Sequence, residues 1–123
     1  MEYDLIEYIQ SLLGGNIKGY VLSKPESTPY PAFVVEDSVR RGMDIYNNNG
    51  KSFDYIHNLQ INLIGQKFST LNTMKNTVVT TLDGFRGALG TQDVVDCRLV
   101  EAASTQNTNK NYEFILFFTL STK

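Results

Sequence analysis

Few residues in this 123-residue chain are equipped for chemistry, since it holds one histidine and one cysteine. A catalytic imidazole needs a partner to orient it and an open path to substrate. His57 instead falls among Phe53, Tyr55, Leu59, Ile61 and Leu63, which marks it as a packed or interfacial histidine with hydrogen-bonded ring nitrogens. Cys97 has Val95 and Leu99 as its same-face neighbours and reads as a buried apolar thiol. The carboxylates Glu36-Asp37 and Asp93…Asp96 fall on strands or strand ends, where solvated faces carry the same residues. Zinc needs about four Cys, His or carboxylate ligands at recognisable spacing, and the sequence offers no such set. Gly84, Gly87 and Gly90 invite comparison with a phosphate loop, but that motif runs strand, loop, helix. Here the glycines follow a helix and precede a strand. The expectation is therefore no catalytic residue, no cofactor and no metal. Arg40-Arg41 is a solvated hairpin base or, through the planar guanidinium fork, a salt bridge to an acidic protein partner.

Composition narrows the classes further. With 41% hydrophobic and 20% charged residues, the chain reads as one soluble globular domain spanning 1–123. A net charge of −2 and a pI near 5.3 argue against bulk electrostatic binding of nucleic acid, which rests on a clustered basic face. No apolar run approaches the roughly 20 residues of a membrane span. The start, Met1-Glu2-Tyr3-Asp4, is acidic where a secretory signal is basic, so export is not expected. One cysteine excludes an intrachain disulfide and fits a reducing compartment.

The elements that must position these residues follow from periodicity. Leu5, Tyr8, Ile9, Leu12 and Leu13 form a helical stripe over 3–13, with Glu2 and Asp4 suiting the dipole and Gly14-Gly15 as the stop. Pro25, Pro29 and Pro31 make 23–31 an extended connector. Strands follow over 32–39 and from Phe53 to Leu63, the latter with the cleanest period of two in the chain. The Asn-rich stretch 40–52 between them is a long hairpin loop. A second helix begins near Ser69 or Thr70, either of which can cap it. Its stripe is Leu71, Met74, Val78, Leu82 and Phe85. Gly84 takes the left-handed position after it, Phe85 folds back on the last turn, and Asp83 and Arg86 are left as surface or interface charges.

Two more strands cover 93–102, with Val95, Cys97 and Leu99 inward, and 111–120, with a polar tip at 104–110 between them. The last strand is apolar on both faces, because Ile115 and Phe117 oppose Tyr112, Phe114, Leu116, Phe118 and Leu120. Helices cover one face; another subunit is the simplest cover for the other. The expected fold is α+β: a four-stranded, mainly antiparallel sheet with two helices on one face, in the order α-β-β-α-β-β. The helix between the second and third strands makes those two parallel, and the two hairpin tips point to opposite ends.

The segment Leu82-Asp83-Gly84-Phe85-Arg86-Gly87 carries a resemblance, supported by Pro29-Tyr30-Pro31-Ala32-Phe33-Val34-Val35 leading into the first strand and by the aromatic last strand. With these, the chain resembles the tail completion, or tail terminator, proteins of long-tailed bacteriophages and prophages, which join tail to head. The resemblance implies a structural virion protein that forms a ring, of six copies, on the tail tube. The implied partners are further copies, the major tail tube protein and the head connector, with DNA passing through the lumen. It places the protein at the tail–head interface of the virion, and in the bacterial host cytoplasm during assembly. The residues expected at interfaces are Arg40, Arg41, Tyr46, Asn48, Ile115 and Phe117. The competing readings are a small ligand-binding or enzymatic domain centred on His57 and a nucleic-acid-binding module.

Overall fold

The computed structural model describes residues 2–14, 17–21, 31–41, 55–106 and 111–122, with the side chains of residues 39–41 and 106 left aside. Helix α1 spans Glu2–Leu12 and buries Leu5, Ile6 and Ile9. Glu2 and Asp4 occupy its first turn, where the helix dipole favours negative charge. Gly14 follows at φ +94°, a conformation that glycine adopts without Cβ strain. The connector expected at 23–31 lies outside the described residues except for Pro31.

Six strands, not four, make up the sheet. They are β1 (Lys18–Val21), β2 (Ala32–Arg41), β3 (Tyr55–Gly65), β4 (Gly87–Leu89), β5 (Gln92–Gln106) and β6 (Tyr112–Thr122), arranged β1-β2-β3-β6-β5-β4. The sheet is mixed, because β1 pairs with β2 in parallel, and it curls into a half-barrel. This corrects the four-stranded antiparallel expectation. The two additional strands are edge strands of four and three residues, too short to display a period of two. Strands β3 and β5 do run in the same direction, but β6 lies between them and is antiparallel to both.

Helix α2 spans Phe68–Leu82 and buries Leu71, Met74, Val78 and Leu82. It starts earlier than expected. Lys67 is the N-cap residue, with extended backbone, and neither Ser69 nor Thr70 caps the helix. The hydroxyl expected at the helix start is thus inside it, and the orphan N–H groups of the first turn lack a side-chain acceptor.

Both helices share one core with a single sheet face. Phe33 and Val35 of β2, Leu59, Ile61 and Leu63 of β3, and Phe114, Leu116, Phe118 and Leu120 of β6 meet the helical stripes there. In β5 the expected alternation fails at its start. Register shifts between Val94 and Asp96 and between Leu99 and Glu101 each insert one residue. The first brings Val94 inward in place of Val95; the second pushes Val100 outward to 65% exposure. Gly19 reflects the tightness of this layer: a Cβ there would collide with the Phe33 ring and Ile6.

Strands β2 and β3 leave the sheet where Arg41 faces Tyr55. Strands β5 and β6 leave it where Gln106 faces Tyr112, at the other end of the ladder, where Tyr112 also pairs with Gly65. The two hairpins therefore emerge at opposite ends, as the topology argument requires.

Candidate functional site

The Leu82–Gly87 segment is built from the helix outward. Leu82 closes the apolar stripe and is fully buried. Asp83 follows as C-cap, its N–H donating to the Val79 carbonyl at 2.9 Å, and Gly84 turns the chain at φ +89°. A closed C-terminal motif would return the next N–H groups to the last helical turn. Here the Phe85 N–H does return, to the Leu82 carbonyl at 3.0 Å, while the Gly84 N–H donates outward to the Cys97 carbonyl of β5 at 2.7 Å. The Asp83 carboxylate accepts from the Leu99 N–H at 2.9 Å. The turn thus pairs with the outer edge of β5 just beyond the short β4. Asp83, expected as a surface or interface charge, is exposed and also serves as a strand-edge acceptor. Phe85 packs against the core beside Tyr8 of α1, ring centroids 5.5 Å apart and tilted by 59°. Arg86 is exposed, and Gly87 opens β4 at φ +121°.

Cys97 sits behind this turn, fully buried. Burial first, then the neighbouring Asp83 and Asp96 charges, push its thiol up to about 12. Such a thiol is protonated at neutral pH and a poor nucleophile, as expected from its neighbours.

His57 is buried with a partner that sequence reading did not assign. Its Nδ1 lies 2.9 and 3.1 Å from the two carboxylate oxygens of Asp37, and both side chains are 6% exposed. The signal was present in the sequence. Asp37 keeps the inward parity of Phe33 and Val35, and pairing Val39 with His57 makes Asp37 a diagonal neighbour on the same face. The Asp37 N–H in turn donates to the Glu2 carboxylate at 3.1 Å, tying β2 to the start of α1. His57 Nε2 and Thr122 Oγ1 are buried without a hydrogen-bond partner. A carboxylate-held imidazole is part of a catalytic constellation, but no side chain hydrogen-bonds to Nε2 among the described residues.

The face away from the helices carries a trough of about 550 Å³ with a mixed polar and apolar lining. Glu36, Asp37 and Ser38 of β2, Asn58, Leu59 and Gln60 of β3, Phe117, Phe118 and Thr119 of β6, and Val100 and Glu101 at the second β5 bulge line it. His57 is not among its lining residues. Beside the trough, the Gln60 amide donates to Asn62 at 3.0 Å, and Asn62 donates to Glu113 at 2.7 Å. Ile115 and Phe117 sit opposite Asn62 and Gln60 and are half-buried. Of the other expected interface residues, Tyr46 and Asn48 lie outside the described residues. Arg40 and Arg41 end β2, their side chains undescribed.

With this geometry in place, the fold finds a counterpart. The chain is similar to a chain of the virion of a native gene transfer agent particle. The TM-score is 0.68 at 16% identity, over 93% of this chain and 83% of that one. At that identity the likeness is one of fold. No family model matches the chain, and no curated protein matches it. No metal-binding cluster of three or more His, Cys, Asp or Glu occurs among the described residues, and none of their helices is long and apolar enough to cross a membrane.

Proposed function

We propose that this chain is a structural virion protein that forms a ring at the head-proximal end of a long tail. The ring ends tail-tube polymerisation and joins the tube to the head connector. The observation that carries this reading is the shared fold with a virion chain over nearly the whole length. The opposed exits of the two hairpins support it, since a joining ring must touch one partner above and another below. The trough supports passage of DNA without capture, because its charged lining residues are acidic. A strongly positive lumen would sink that last point.

The chain acts by assembly, not catalysis, in this reading. The His57–Asp37 pair favours the enzymatic alternative chemically, but the buried Nε2 opens onto none of the trough. The pair serves to hold β2 against β3 near the first hairpin.

Deleting the gene in its particle and examining the products by electron microscopy tests the role. Tails of irregular length and unattached heads are expected; tails of normal length joined to heads would refute it.

A further inference from the structure

The second strand from each edge of the sheet, β2 on one side and β5 on the other, is covered over only part of its length. On one side β1 pairs with Ala32–Val35 and stops. The Asp37 N–H beyond it points outward, to the Glu2 carboxylate. Odd positions of β2 therefore turn their backbone groups outward, and Val39 and Arg41 have no strand beside them among the described residues. On the other side β4 pairs with Gln92–Val94, and the Asp83-Gly84 turn covers Cys97 and Leu99. The bulge at Val100 then reverses the parity, so Ala102 and Ser104 turn their N–H and C=O groups outward. Residues 101–105 are all exposed, and no strand pairs with that edge among the described residues.

Open edges are ordinarily blunted by lysine, proline or a covering segment. Glu101-Ala102-Ala103-Ser104-Thr105 has neither residue, and an aromatic shelf stands next to it. Phe68 is 49% exposed and packs edge-on to Tyr112 and tilted to Phe114. Together with Ser104, Thr105 and Glu113, these rings line a cavity of about 250 Å³. An edge that offers backbone pairing beside an apolar pocket is how strand addition gains affinity and specificity.

We infer that the open half of β5 in one copy of this chain pairs with the open half of β2 in the next. This rests on the ring-forming reading above and names the contact that builds the ring. Three observations select a second copy as the occupant. Strand β2 runs antiparallel to β3, and β3 runs with β5, so copies set side by side in one orientation bring β2 antiparallel to β5. Charge is complementary: Glu101 and Glu113 mark the β5 end, and Arg40-Arg41 ends β2. The half-covers also interlock, because β1 and β4 occupy the ends of the edges that the contact leaves alone.

Pairing Val39 with Ser104 keeps the helical faces of both copies on one side. It displaces neighbouring copies by the six residues from His57 to Leu63, the levels of Val39 and of Ser104 through Phe114. That is about 20 Å along the strands. Four strands at their usual spacing carry the sheet about 19 Å sideways per copy. The resulting strand tilt of about 45° is at the upper end of what closed barrels adopt, so the stagger is compatible with a closed ring.

Cross-linking tests the pairing through Arg40 and Ala103, which this register sets opposite each other. Arg40→Cys and Ala103→Cys are made separately in a Cys97→Ala background and oxidised alone and mixed. The protein is used at concentrations where it sediments as an oligomer, or in assembled particles if it sediments only as a monomer. Cross-linked dimers in the mixture alone, and a ladder from the double variant, are expected. Dimers from Ala103→Cys alone would replace the proposal with β5-on-β5 pairing, and a mixture without cross-links would overturn it. Ala102→Pro removes an outward N–H and should abolish oligomers while the melting temperature stays within a few degrees; oligomers that persist would also count against it. Normal tails built without the 40–103 link would remove the edge contact and leave the tail role intact. Linked rings from a chain dispensable for tails would do the reverse.

Discussion

At the scale of single residues, Gly84 and Cys97 illustrate how one turn is secured. Gly84 has nothing within 4 Å of where a Cβ would stand, so a substitution there meets no neighbour and bears only on the backbone. Gly84→Ala should cost about 1 kcal/mol, read as a lower melting temperature, because φ +89° is strained for an L-residue. Cys97 predicts an alkaline effect whose sign is fixed. Well below pH 9.0 the thiol is protonated in both states and contributes nothing to pH dependence. As pH rises from 9.0 towards about 12, the unfolded chain loses the proton while the folded chain keeps it. Stability therefore falls over that window, and Cys97→Ala should flatten the melting temperature's decline between pH 9 and 11. The left-handed turn at Gly84 was legible in the sequence, but the bond from Leu99 to Asp83 was not, because no local pattern names the strand that a turn will meet.

At the scale of elements, the weak point is the start of α2. Lys67 has the extended backbone of an N-cap but a side chain that cannot accept from the first-turn N–H groups. Lys67→Asp should raise stability by about 1 kcal/mol in thermal or denaturant unfolding, supplying an acceptor and a charge suited to the dipole. The long elements were legible because their periods were long. The inward set from His57 to Leu63 and the stripe Leu71, Met74, Val78, Leu82 are buried as expected. The first stripe omitted Ile6, which is buried beside Leu5 and Ile9. What escaped was short or interrupted. Strands β1 and β4 offer too few residues to alternate, and two bulges shift the phase of β5, so Val94 and not Val95 turns inward. Periodicity also fixes no lateral order, and so gave no sign that β6 lies between β3 and β5.

For the whole molecule, the two-faced β6 remains the feature most in need of a neighbour, although less nakedly than its sequence implied. Ile115 and Phe117 are half-buried by the curl of the sheet, and Phe117 helps to line the trough. Phe117→Asp should therefore cost the isolated chain only a few degrees of melting temperature, and a fall in assembled rings in sedimentation would place a neighbouring subunit on this face as well as at the β2 and β5 edges. A lost cooperative melt would instead make this residue part of the fold. The opposed hairpin exits have a further consequence. A cyclic assembly of identical copies inherits the polarity of its subunit. A ring built through the proposed β2–β5 contact then has one rim formed beside Arg41 and Tyr55 and a chemically different rim beside Gln106 and Tyr112. Turned over, such a ring would offer each neighbour the wrong rim, so its orientation in an assembly is recorded in every copy before the first contact is made.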